Sequence, residues 1–153
     1  MKRLCALFLA LMLLASVGLA AADGYSKPTP LYIKDNATAL FDNISGNRIS
    51  IKFQVTNKAE GKTVTSFTIK VWPLDENQDD MSNDNPYQLT SVKTVKPGKT
   101  MYSDLFYMNN ASAIKYIYIA IVAVTFEDGT SVTYTDHEAL NWEGLQKGWK
   151  HSQ

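Results

Sequence analysis

Ile114-Lys115-Tyr116-Ile117-Tyr118-Ile119-Ala120-Ile121-Val122-Ala123-Val124-Thr125-Phe126, then Glu127-Asp128-Gly129-Thr130, then Ser131-Val132-Thr133-Tyr134, is the stretch that decides the fold. Its first arm is dense in β-branched and aromatic residues and holds no Gly or Pro. It is too short and too rich in Tyr to span a bilayer. The Asp-Gly pair after it predicts a hairpin closed by a two-residue type I′ turn, whose central residues need positive φ. Strict alternation places Ile117, Ile119 and Ile121 on one face of the arm and Tyr118, Val122, Val124 and Phe126 on the other. Such a strand is expected to be central in its sheet and covered on its outer side. The cover is expected from the segment Asp136 to Trp149, where Ala139, Trp142, Leu145 and Trp149 recur at near-helical spacing, although Gly144 and Gly148 weaken a helix there.

Working outward, Arg48 to Asn57 alternates cleanly, with Ile49, Ile51, Phe53 and Val55 on one face and Ser50, Lys52, Gln54 and Thr56 on the other. Thr63 to Leu74 places Phe67, Ile69 and Val71 opposite Thr68, Lys70 and Trp72, and Pro73 marks an edge or an exit. Tyr87 to Val95 and Thr100 to Met108 are further strands, separated by a Lys96-Pro97-Gly98-Lys99 turn of type II chemistry. Leu31-Tyr32-Ile33 and Ala39-Leu40-Phe41 predict a broken first strand. Seven or eight strands with turn signals every eight to twelve residues predict an all-β, antiparallel, immunoglobulin-like sandwich over residues 31–135.

The chain opens with Lys2 and Arg3, an apolar run from Leu4 to Leu19, and Ala20-Ala21-Ala22, the three regions of a secretory signal peptide. Cleavage after Ala22 is expected, with Ala20 as the fallback. A retained anchor is the alternative, against which the run falls short of the roughly 20 residues that span a bilayer. The mature chain would be secreted or periplasmic, with a flexible lead-in over residues 23–30 and a C-terminal extension over residues 136–153. Cys5 would leave with the signal, removing disulfides and thiolate chemistry. Loss of Lys2 and Arg3 takes the charge from 15 − 15 = 0 to 13 − 15 = −2, which points to neither nucleic acid nor an anionic membrane. Asn36, Asn43 and Asn110 open Asn-x-Ser/Thr triplets, glycan acceptors in a eukaryotic secretory pathway.

The order Val95-Lys96-Pro97-Gly98-Lys99, a strand ending in Phe106-Tyr107, the long Ile/Val strand and Thr125-Phe126-Glu127-Asp128-Gly129-Thr130 resembles small immunoglobulin-like modules of secreted bacterial proteins, including the group named for its FxLYD motif. The resemblance covers about residues 45–135, and an FxLYD string itself is absent. It implies extracytoplasmic adhesion, assembly or ligand binding rather than catalysis, and it transfers no functional residue.

Candidate sites are few. Asp75, Asn77 and Asp79 have the spacing of the first three oxygen ligands of a calcium loop, yet Asp80 stands where the bend needs Gly and Pro86 where a bidentate Glu should close the site. A solvated loop is the plainer reading. Trp72, Tyr87, Trp142 and Trp149 would make an aromatic platform for sugar rings or a partner's side chains if the fold gathers them, whereas aromatics at strand spacing are more often core. Asp136-His137-Glu138 offers acid, base and metal-ligand types, but on a strand these side chains diverge. Met101, Met108 and His137 are soft copper-ligand types without a paired His. The expectation is a non-catalytic module that needs no cofactor and binds a protein or cell-envelope partner through a sheet edge or loops; the alternative is a carbohydrate or Ca²⁺ binding domain.

Overall fold

The computed structural model describes residues 29–34, 48–109, 112–141 and 146–150. Ala39-Leu40-Phe41, Trp142, Leu145 and the three Asn-x-Ser/Thr asparagines lie outside them. In chain order the elements are β1 (Leu31–Ile33), β2 (Arg48–Ile51), β3 (Gln54–Asn57), β4 (Val64–Leu74), β5 (Tyr87–Ser91), β6 (Thr100–Tyr102), β7 (Phe106–Asn109), β8 (Tyr116–Phe126), β9 (Ser131–Thr133), α1 (Asp136–Asn141) and β10 (Gln146–Lys150). All pairings are antiparallel. One layer runs β1, β2–β3, β6–β7; the other runs β5, β4, β8, with β9 and β10 sharing the far edge of β8. This is an all-β sandwich of the immunoglobulin-like class. Its strand β5 pairs with β4 rather than joining the layer of β6.

The alternation from Ile49 to Val55 holds, and all four apolar residues are buried. What looks like one strand is nevertheless split, because its partner carries an extra residue. Ile51 faces Phe106 and Gln54 faces Tyr102, so Lys52-Phe53 oppose the three residues Ser103-Asp104-Leu105. That is a β-bulge, and it bends both strands. The buried Ser103 hydroxyl compensates for it locally, accepting from the Phe53 N–H at 3.2 Å and donating to the Asp104 carbonyl at 2.8 Å. Phe53 reaches across to Phe67 of β4, edge to face, with ring centroids 6.3 Å apart. One apolar cluster spans both layers.

The same irregularity corrects the reading of β8. Ile69 pairs with Ile121 and Thr68 with Ala123, so Val122 is the extra residue of a second bulge. The side-chain phase shifts there by one. Phe67 opposite Val124, Ile69 opposite Ile121 and Val71 opposite Ile119 therefore all face the inter-sheet core. Val124 and Phe126 thus share the inner face with Ile117, Ile119 and Ile121, contrary to the alternation expected from sequence. The outer face of β8 instead presents Tyr118, Ala120 and Ala123, and α1 packs over it with Ala139 fully buried. The Lys70 ammonium, opposite Ala120, reaches both carboxylate oxygens of Asp136 at 2.6 and 2.7 Å.

Two turn expectations part company. Lys96 to Lys99 is the type II turn its residues ask for, with Gly98 at φ 70° and Lys99 N–H bonded to the Lys96 carbonyl at 3.0 Å. The β8–β9 hairpin is not type I′. Gly129 N–H bonds the Phe126 carbonyl at 3.0 Å and Phe126 N–H bonds the Thr130 carbonyl at 2.9 Å, with positive φ at Gly129 and not at Asp128. The loop is three residues, a type I turn over Glu127-Asp128 followed by a glycine bulge. Asp128 prefers this geometry because its carboxylate accepts from the Thr130 N–H at 2.9 Å and from Lys62 at 2.8 Å. Those bonds, with Lys62 the largest contributor, hold its pKa well below the usual carboxylate range.

Candidate functional site

Strands β6 and β7 form the outer course of their layer and β5 the outer course of the other. Asp104 ties these two margins together. Its carboxylate accepts from Ser91 Oγ at 2.9 Å and from the Val92 N–H at 3.0 Å, and meets Lys93 Nζ at 3.1 Å. Desolvation pushes the Asp104 carboxyl up, but the bonds from Lys93, Val92 and Ser91 together outweigh it and leave the group more acidic than usual. Both open margins therefore lie on one side of the sandwich.

That side gathers apolar surface. Among the described residues every exposed large apolar side chain falls between 81 and 107: Met81, Tyr87, Val92, Met101, Tyr102, Leu105 and Tyr107, with Val92 at 75% and Tyr102 at 52% exposure. The bulge explains part of this, since Leu105 stands in the bend where strand geometry no longer directs it inward. The backbone of β6 is open too. Asn57 N–H bonds Lys99 and Ser103 N–H bonds Phe53, so Lys99, Met101 and Ser103 turn their amides toward β3. Alternation then points the amide groups of Thr100 and Tyr102 outward. Edge strands are ordinarily guarded by Lys, Pro or other charges. Thr100-Met101-Tyr102 and Phe106-Tyr107-Met108-Asn109 contain none of these.

The residues expected from sequence to form sites are dispersed. Asp75 Oδ1 accepts from the Asn77 N–H at 2.8 Å and the Asp79 N–H at 2.9 Å, so this carboxylate organises the loop's own backbone. Among the described residues no three His, Cys, Asp or Glu side chains gather as a cation cage. Trp72 sits on the outer face of β4 opposite Tyr118, partly buried. Tyr87 stands opposite Val71, one residue along β4, and so faces the other side of the sheet from Trp72. Trp149 is placed by its backbone opposite Ile117, and Trp142 is not described. Asp136, His137 and Glu138 lie on helix α1, not on a strand. Asp136 is paired with Lys70, and Glu138 accepts from the Thr135 N–H at 2.7 Å. Met108 is buried in the core while Met101 is exposed on β6.

No family model, curated protein or solved structure matches this chain. The open edge itself is therefore the guide to function. Sequence reasoning proposed no site role for Tyr102, Leu105 or Tyr107 and weighed Met101 only as a soft copper ligand. The one signal available was the lack of any charge in both halves of the Thr100 to Asn109 course, which in a strand near a Pro-Gly turn marks an unguarded edge.

Proposed function

We propose that this chain is a non-catalytic binding module, exported to the cell envelope or the extracellular space, that takes up an extended segment of a protein partner along β6. The observation that carries this reading is the unguarded edge: outward amides at Thr100 and Tyr102 beside exposed Met101, Tyr102, Leu105 and Tyr107. Strand addition uses such amides for affinity and the flanking side chains for specificity. The leader of residues 1–22 supports export.

Peptides selected for binding from an extended-strand display library test it. They should protect the amides of Thr100 and Tyr102 from hydrogen exchange. Tyr102→Pro removes an outward donor without touching a bond to β3, and should reduce binding at least tenfold, about 1.4 kcal/mol, at unchanged melting temperature. Equal binding by Tyr102→Pro, or protection confined to other strands, would sink the proposal.

A further inference from the structure

The outer face of the β1, β2–β3, β6–β7 layer has a composition that strand addition does not use. Its central course turns Arg48, Lys52, Gln54 and Thr56 away from the buried Ile49, Ile51, Phe53 and Val55, with Ser50 buried between Arg48 and Lys52, and Lys58 follows. Three cations are therefore spread along one course. Each rests on a tyrosine: Arg48 lies 3.7 Å from the ring centroid of Tyr107, Lys52 lies 5.1 Å from that of Tyr102, and Lys58 lies 4.1 Å from that of Tyr32. Elsewhere among the described residues the ion pairs are made by Lys62, Lys70 and Lys93. Among the described residues no carboxylate pairs with Arg48, Lys52 or Lys58, and none of β1, β2, β3, β6 and β7 contains Asp or Glu. Asp104, the acid of this layer's bulge, is engaged by Lys93.

We propose that this face binds an acidic polysaccharide. At about 3.3 Å per residue the three cations span at most roughly 33 Å, with gaps of at most roughly 13 and 20 Å, because the bulge at Lys52-Phe53 bends the course. A small anion would meet only one of them, whereas an extended polymer meets all three. Charges this sparse suit a chain of sugars carrying occasional carboxylates. They do not suit single-stranded nucleic acid, which carries a phosphate on every nucleotide and calls for a continuous basic groove. The tyrosines add the apolar planes against which pyranose C–H faces pack, and Gln54, Thr56 and Thr100 add partners for hydroxyls. The chain carries 15 basic and 15 acidic residues, so affinity for a polyanion would come from this local segregation and not from net charge.

Calorimetric titration with hyaluronate, which carries a carboxylate on every second sugar, at low salt tests the inference, with neutral dextran, polyglutamate and a single-stranded oligonucleotide as comparisons. Hyaluronate should bind, dextran should not, and binding should fall steeply at high salt. Lys52→Glu should weaken it about fivefold or more, while Lys115→Glu, the same charge change beside the other layer, should move it less than about twofold. Tyr102→Ala should weaken hyaluronate more than polyglutamate. The inference is overturned by no binding at low salt, by equal losses in Lys52→Glu and Lys115→Glu, or by tighter binding of the oligonucleotide or polyglutamate. Strand addition at β6 is judged separately by whether the selected peptides protect the Thr100 and Tyr102 amides, since Tyr102→Pro removes a ring of this face as well as an amide of the edge.

Discussion

Asp104 joins the two layers where the proposed binding edge begins, and its hold depends on its charge. Because its folded pKa is lowered, it contributes stability that is fully present above the unfolded value near 4 and is lost as pH falls through the folded value. Asp104→Asn keeps an oxygen for the Val92 N–H and removes the charge facing Lys93. It should cost about 1 kcal/mol at pH 7, as loss of a partly exposed charge-assisted pair does. In urea titrations at pH 7, 4 and 2.5 the gap between wild type and variant should shrink as the wild-type carboxyl takes up its proton. A gap of constant size at all three pH values would mean the carboxylate acts by shape alone. Asn57 is the neutral counterpart of this arrangement: it is fully buried, its amide donates to the Lys62 and Val95 carbonyls at 2.8 Å each, and it accepts from the Ala59 N–H at 2.9 Å.

Helix α1 shows what a single element contributes. Its six residues are too few to hold by propensity, so its ends and its contacts must hold it. Thr135-Asp136-His137-Glu138 is a capping box: Glu138 accepts from the Thr135 N–H, and Thr135 Oγ1 accepts from the Glu138 N–H at 3.2 Å. Asp136 and Glu138 also place negative charge at the helix start. Thr135→Ala should destabilise the protein by about 1 kcal/mol and raise exchange at the Glu138 and Ala139 amides before any strand amide. No change in exchange there would show that the packing of Ala139 alone fixes the helix. The Thr-x-x-Glu pattern was legible in the sequence, yet three consecutive polar residues after a strand invite extension of that strand. Other elements split the same way. Ile49 to Val55 announced its buried face because polar residues separate the apolar ones. Ala120-Ile121-Val122 carries no polar residue to mark phase, so the bulge at Val122 is visible only through its pairing with β4. The open edge escaped for a related reason: whether a strand is central or outermost depends on partners some 45 residues away, as Val55 and Met101 illustrate.

For the whole molecule the question is whether the two bulged layers unfold as one. The described core crosses between them at Phe53 and Phe67, and Asp104 crosses at the margin. The described tryptophans, Trp72 and Trp149, both belong to strands of the β4–β8 layer, so their emission, isolated by Trp142→Phe, reports on that layer, while far-ultraviolet dichroism reports on both. Ser103 lies wholly in the other layer. Ser103→Ala removes from an interior position the acceptor of the Phe53 N–H and the donor to the Asp104 carbonyl, which should cost about 2 kcal/mol. With a slope of about 2 kcal/mol per molar urea for a domain of this size, the midpoint should fall by about 1 M. If the core is one cooperative unit, fluorescence and dichroism should move together by that amount, although the substitution is in the layer that carries no described tryptophan. A shift in dichroism with emission unmoved would mean that the layers melt separately. The β6–β7 edge could then open on its own, and partner strands would compete with its pairing to β2–β3 rather than add beside it.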